Sequence, residues 1–158
     1  MRVEEHFEEF IKLLNYHKVK YLVVGAYALI YYTHPRNTGD IDFFIDATPD
    51  NAEKLLSVLA EFGFESLDLK VDDFIKPDSI IQLGLVPNRI DIITEISGIT
   101  FNEAFQNKIQ GKIGKQEVFF ISPEDLLKNK KAANRARDIA DAELLENYLK
   151  HKKNHKTI

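Results

Sequence analysis

The sequence predicts a mixed α+β domain, and three observations carry that reading. Short apolar runs of strand character are interspersed with segments whose apolar residues recur every three to four positions. Prolines and glycines stand at the junctions, where helices start and stop. The 158 residues suffice for one hydrophobic core and contain no internal repeat or low-complexity linker.

In order along the chain, Phe7, Phe10, Ile11 and Leu14 fall at helical spacing, so residues 3–16 read as an amphipathic helix. "YLVV" (21–24) is a short buried strand that Gly25 ends, and "AYALIYY" follows as a helix. "IDFFID" (41–46) is a second strand. A helix then runs from Thr48 as N-cap and Pro49 at its first position to Gly63 as stop. Leu55, Leu56, Leu59 and Phe62 supply its inner face.

"SIIQLGL" and "RIDIITEI" flank "VPN" and read as a hairpin. Residues 108–121 form a further hairpin that turns near Gly114. Ser122 caps a helix with Pro123 in its first turn and Asp125 three residues after the cap. "RDIADAELLENYL" closes the fold as a last helix. The expected organisation is one domain over residues 1–149, followed by a basic, flexible tail over 150–158.

Composition narrows the function classes. The absence of cysteine excludes disulfides, thiolate metal sites and a cysteine nucleophile. The start "MRVEEHFEEF" has no apolar signal core, and no stretch approaches the roughly 20 apolar residues of a membrane span. A cytoplasmic location without a membrane partner is the expectation. Charge is uneven: residues 1–107 carry 9 Lys/Arg against 18 Asp/Glu, and residues 108–158 carry 12 against 7. An acidic first part and a basic last part can bind a metal and an anion respectively, or simply be two solvated surfaces.

The chemistry-bearing stretch is "HPRNTGDIDFFID" (34–46). On a strand, residues i and i+2 share a face, so Asp40 and Asp42 project together. Two like charges so placed disfavour joint ionisation unless a cation lies between them. Mg²⁺ suits such a pair, being a hard ion that binds a few carboxylates and keeps sites for water and substrate phosphates. A bare pair of this kind also fits a polar strand end. Asp91 in "NRIDIITEI" is a third acid at the start of an apolar strand. If that strand lies beside the first, three carboxylates converge. The strand–glycine–helix join "YLVVGAYAL" adds a helix amino end where an anion can dock.

Together these residues resemble the nucleotidyltransferase superfamily typified by DNA polymerase beta, in its small bacterial and archaeal members. That family has a strand–Gly–(Gly or Ser)–helix element, then Arg-x-Thr-x-Asp-x-Asp, then a third Asp from a later strand. The matching positions are Gly25–Ala26, Arg36, Thr38, Asp40, Asp42 and Asp91. "LLKNKKAANRARDIADAELL" is similar to the family's closing helices, with Lys130, Arg135, Arg137 and Asp138 at the charged positions. The resemblance runs from about residue 7 to 149. Ala26 departs from the family's Gly or Ser, which removes a hydroxyl but keeps the backbone N–H.

The resemblance implies a nucleotidyltransferase-like mixed β-sheet flanked by helices, with further helices at the C-terminus. It implies transfer of a nucleoside monophosphate from an NTP to an acceptor, which can be RNA, protein or a small molecule. Asp40, Asp42 and Asp91 would be the catalytic and metal-binding residues, holding two Mg²⁺ or Mn²⁺ ions in the reacting complex. Gly25, Ala26, Arg36, Thr38 and Lys130 would bind the nucleotide. Arg36 can reach a phosphate or pair with an acid, Thr38 fixes the loop, and Asp138 orients a neighbouring cation. Small members of the superfamily often belong to toxin–antitoxin or phage-defence pairs. A chain too short to include a dedicated acceptor domain favours a bound partner protein or a homo-oligomer that supplies the rest of the cleft. A catalytically silent nucleotide-binding or interaction module is the alternative.

Overall fold

The computed structural model describes residues 3–156. Among them, six strands form one mixed sheet in the order β3-β4-β2-β1-β6-β5. In chain order the elements are α1 (Val3–Tyr16), β1 (Tyr21–Val24), α2 (Gly25–Tyr32), β2 (Asp40–Ile45) and α3 (Pro49–Phe62). There follow β3 (Ile80–Leu83), β4 (Arg89–Ile93), α4 (Phe101–Gln106), β5 (Ile109–Ile113), β6 (Gln116–Phe120), α5 (Pro123–Ala133) and α6 (Ala136–Lys156). This is the expected α+β architecture, with α5 and α6 as the closing helices.

Local chemistry explains the boundaries. Thr48 accepts from the Asn51 N–H and Ser122 from the Asp125 N–H, so each caps its helix, with proline just inside. Gly63 ends α3 at φ 106°, in the left-handed region that glycine enters without steric cost. The two hairpins, β3–β4 and β5–β6, are both antiparallel as anticipated.

Three features were not anticipated. The loop after α3 contains 3₁₀ turns at Glu65–Leu67 and Val71–Phe74, and the second buries Phe74 beneath α3. The short α4 is capped by Thr100. Finally, α6 continues through residues 150–156, where a tail was expected; residues 157–158 lie outside the described part. Among the described residues no helix is long and apolar enough to cross a membrane.

Both faces of the central strand β2 are covered. Phe43 meets Phe10 of α1 at a ring separation of 5.4 Å, and Phe44 meets Phe101 of α4 on the other side at 5.2 Å. Ile41, Phe43, Phe44 and Ile45 are consequently all buried. At the amino-terminal end of β2, Asp40 and Asp42 are only partly buried.

Candidate active site

β2 lies between β1 and β4, antiparallel to the first and parallel to the second. The β2–β4 register sets Asp40 opposite Arg89 and Asp42 opposite Asp91. The convergence of three carboxylates was conditional on that pairing. Asp40, Asp42 and Asp91 each offer an oxygen within 4.8 Å of the others, a separation that one cation can span.

The electrostatics of the cluster ask for positive charge. Burial pushes the Asp42 carboxyl up to about 8, and the neighbouring Asp40 and Asp91 push it the same way. Burial also raises Asp91, although bonds from Arg89 pull in the opposite direction. A half-buried carboxyl that ionises reluctantly is where a divalent ion gains most by binding, because the ion removes the repulsion.

β1 brings the helix amino end to the same place. Gly25 follows Val24, whose register partner is Asp42, and it adopts φ 67°. A Cβ on Gly25 would lie 2.0 Å from Asp42 Oδ2, so only glycine lets the backbone pass this close to the carboxylate. No side chain caps the first turn of α2, and that turn carries no acidic residue. Its N–H groups face a cleft of about 1050 Å³ bordered by Gly25, Ala26, Asp40 and Asp42.

The opposite wall of that cleft is basic, with Arg36, Lys130, Arg135 and Arg137 along it. Three of these cations are already engaged. Arg36 donates to Asp141 of α6 at 3.1 Å rather than to Asp40 or Asp42. Lys130 is buried between Asp138 at 3.5 Å and Asp141 at 3.2 Å. Asp138 also accepts from the Arg135 backbone N–H and its Nε, which holds Arg135 at the start of α6. Burial pushes the Asp138 carboxyl up, but the Arg135 bonds and the Lys130 charge bring it below its ordinary value.

Thr38 donates to the Asp40 carbonyl at 3.2 Å, with Asp40 Oδ1 at 3.5 Å, and so ties the motif loop to β2. His34 is exposed and stands apart from the cluster. Two site residues were missed in the sequence, Arg89 and Asp141. Both carried a signal: Arg89 precedes Asp91 by two on one strand, and Asp141 follows Asp138 by three on one helix.

A family model described as "Nucleotidyltransferase of unknown function (DUF6036)" matches residues 2–151, nearly the whole chain. The chain belongs to this family. No curated protein matches it.

Proposed function

We propose that this member of a nucleotidyltransferase family transfers a nucleoside monophosphate from an NTP to an acceptor, releasing pyrophosphate, with divalent metal as cofactor. The observation that supports it is the grouping of three carboxylates, on adjoining strands, beside the uncapped amino end of α2. The donor set suits Mg²⁺ or Mn²⁺: it is all oxygen, and Gly25 gives the Asp42 carboxylate the space that a Cβ would otherwise take.

Each residue has a task in an in-line displacement at phosphorus. Two bound ions, when present, would neutralise charge on the attacking and leaving oxygens. Asp40 and Asp42 would hold them, and Asp91 would face the acceptor hydroxyl and take its proton. Backbone N–H groups of Gly25 and Ala26 would bind the terminal phosphates, which needs no side chain at position 26. Arg135 and Arg137 would add positive charge along the basic wall. Arg36 and Lys130, held by Asp141 and Asp138, would contribute mainly field and position.

The acceptor would be an RNA end, a protein side chain or a small molecule in the cytoplasm. A toxin–antitoxin or defence role would supply that acceptor through a partner protein. The test is incubation with each labelled NTP, Mg²⁺ or Mn²⁺, and either total RNA or lysate protein. Label should transfer with the wild type and be lost in Asp40→Ala and Asp42→Ala. Transfer that persists in both variants refutes the metal assignment. Nucleotide binding without transfer to any acceptor supports the silent module, which the missing hydroxyl at Ala26 favours.

A further inference from the structure

Phosphate-binding groups account for only part of the cleft. Two residues beyond Asp91 the lining changes character, where Ile93 of β4 pairs with Ile80 of β3 and both border the cleft. Ile80 is 60% exposed, so apolar surface is presented there. The nearby charges are the carboxylates of Asp78 and Glu95, each two residues from one of these isoleucines. The uncapped amino end of α2 follows β1, which lies on the other side of β2 from β4. Phosphates are drawn to that end and repelled from Asp78 and Glu95. A nucleotide held there by its phosphates therefore extends its base toward Ile80 and Ile93.

One polar group beside this apolar patch has a fixed orientation. Asn129 of α5 donates through Nδ2 to the Ser97 carbonyl at 3.0 Å, and its Oδ1 takes no hydrogen bond from the described residues. The loop is pressed onto α5 at the same place. Gly98 adopts φ 85°, and a Cβ there would stand 2.9 Å from the Lys128 carbonyl oxygen and 2.7 Å from Ala132 Cβ. Only glycine permits that approach, which keeps Ser97 and Asn129 in register. With its amino group engaged by Ser97, the Asn129 side chain can only accept. Asp78 and Glu95 are acceptors as well. The exocyclic amine of adenine or cytosine satisfies such a site, whereas the carbonyl of guanine or uracil sets acceptor against acceptor.

Resting on nucleotide binding in this cleft, we infer that Asn129 is a specificity-determining residue. It selects NTPs whose base carries an amine at the purine 6 or pyrimidine 4 position over those with a carbonyl there. The base lies against Ile80 and Ile93, and its amine donates to Asn129 Oδ1. Ser97 and Gly98 are positioning residues, since they decide which atom of the amide is left to read the base.

The test uses matched nucleotides that exchange this amine for a carbonyl: ATP against ITP, and CTP against UTP. Each is bound to the whole chain in Mg²⁺ and its affinity read by calorimetry. ATP should bind about 3- to 10-fold tighter than ITP, and CTP than UTP, the worth of one neutral hydrogen bond. Asn129→Ala should bring both ratios close to one. Asn129→Asp, which keeps an acceptor at the position, should retain them, a rescue that a merely structural bond to Ser97 does not give. The wild-type ratios remain measurable if either variant folds poorly. Ratios near one in the wild type, or wild-type ratios in a folded Asn129→Ala, overturn the inference alone. No binding of any of the four nucleotides overturns it together with the proposed reaction.

Discussion

Gly25 and Asp42 are in such close approach that the smallest added side chain would collide: a Cβ on Gly25 would stand 2.0 Å from Asp42 Oδ2 and 3.0 Å from its Cγ. Gly25→Ala therefore has two costs. The residue sits at φ 67°, which costs an L-residue roughly 1–2 kcal/mol, and the carboxylate must be pushed aside. A displacement near 1 Å at a reacting site is worth about 100-fold in rate. Gly25→Ala should lower nucleotidyl transfer about 100-fold or more while losing only a few degrees of melting temperature. Wild-type activity in a folded Gly25→Ala protein would refute this contact as a constraint on Asp42.

Asp42 makes the metal-free protein less stable as pH rises. Its folded carboxyl titrates at about 8, against an ordinary value of 3.8, so the folded state binds the extra proton between those limits. Stability falls with rising pH wherever the folded state holds more protons than the unfolded one. Between about pH 4 and pH 8 this group should therefore lower stability progressively. Asp42→Asn should flatten that slope and stabilise the metal-free protein at pH 8 by roughly 1–3 kcal/mol. Chelator-treated samples melted from pH 5 to 9 check this, and parallel profiles for the two proteins would contradict it.

Adding metal should act on the same slope in the opposite sense. A ligand that binds only the folded state stabilises it by RT ln(1 + [L]/Kd), about 2.7 kcal/mol at 100 times Kd. Because the ion needs Asp42 ionised, Mg²⁺ should raise the melting temperature more at pH 8 than at pH 5.5. In Asp42→Asn the increment should shrink at both pH values. An equal Mg²⁺ increment in wild type and variant would place the ion elsewhere.

Asp138 is fully buried and is held by Lys130, by the Arg135 side chain and by the Arg135 backbone N–H. Asp138→Ala leaves the buried Lys130 with Asp141 alone and removes the cap at the start of α6. Breaking one side of a buried ion pair typically costs about 3–5 kcal/mol. Urea melts should show a loss in that range, with the midpoint falling at unchanged slope. A loss under about 1 kcal/mol would mean that Asp141 carries the pair alone.

Arg36 joins the motif loop to α6 through Asp141, and it is more exposed than its partner. Arg36→Met should cost less, about 1–2 kcal/mol, since Asp141 retains Lys130. Its larger effect should be on nucleotide affinity, through a loosened approach to Asp40. Unchanged nucleotide binding in Arg36→Met would leave the pair a purely structural clasp.

Much of this molecule follows from local rules. Thr48–Pro49, Gly63 and Ser122–Pro123 mark helix ends through backbone chemistry that acts within three or four residues, and the structure has them there. The aspartates of "GDIDFFID" share a face because strand geometry repeats every two residues. The short α4 carried a cap signal of the same kind, Thr100 with Glu103 three residues on. The 3₁₀ turns carried none, since segments so brief are held by contacts such as that of Phe74 with α3.

The chain order of residues thus carries the elements, their caps and the pairing of Asp40 with Asp42, all of which depend on near neighbours. The parallel alignment of β2 with β4 depends on strands 49 residues apart finding one register, with Asp40 opposite Arg89. No local rule specifies that alignment, because it is selected by packing on both faces of the sheet. Asp91 completes the cluster, Arg89 closes over it and Lys130 is buried only once that packing exists. Gly25 shows both levels: its place between strand and helix is readable in sequence, whereas its contact with Asp42 exists only in the assembled sheet.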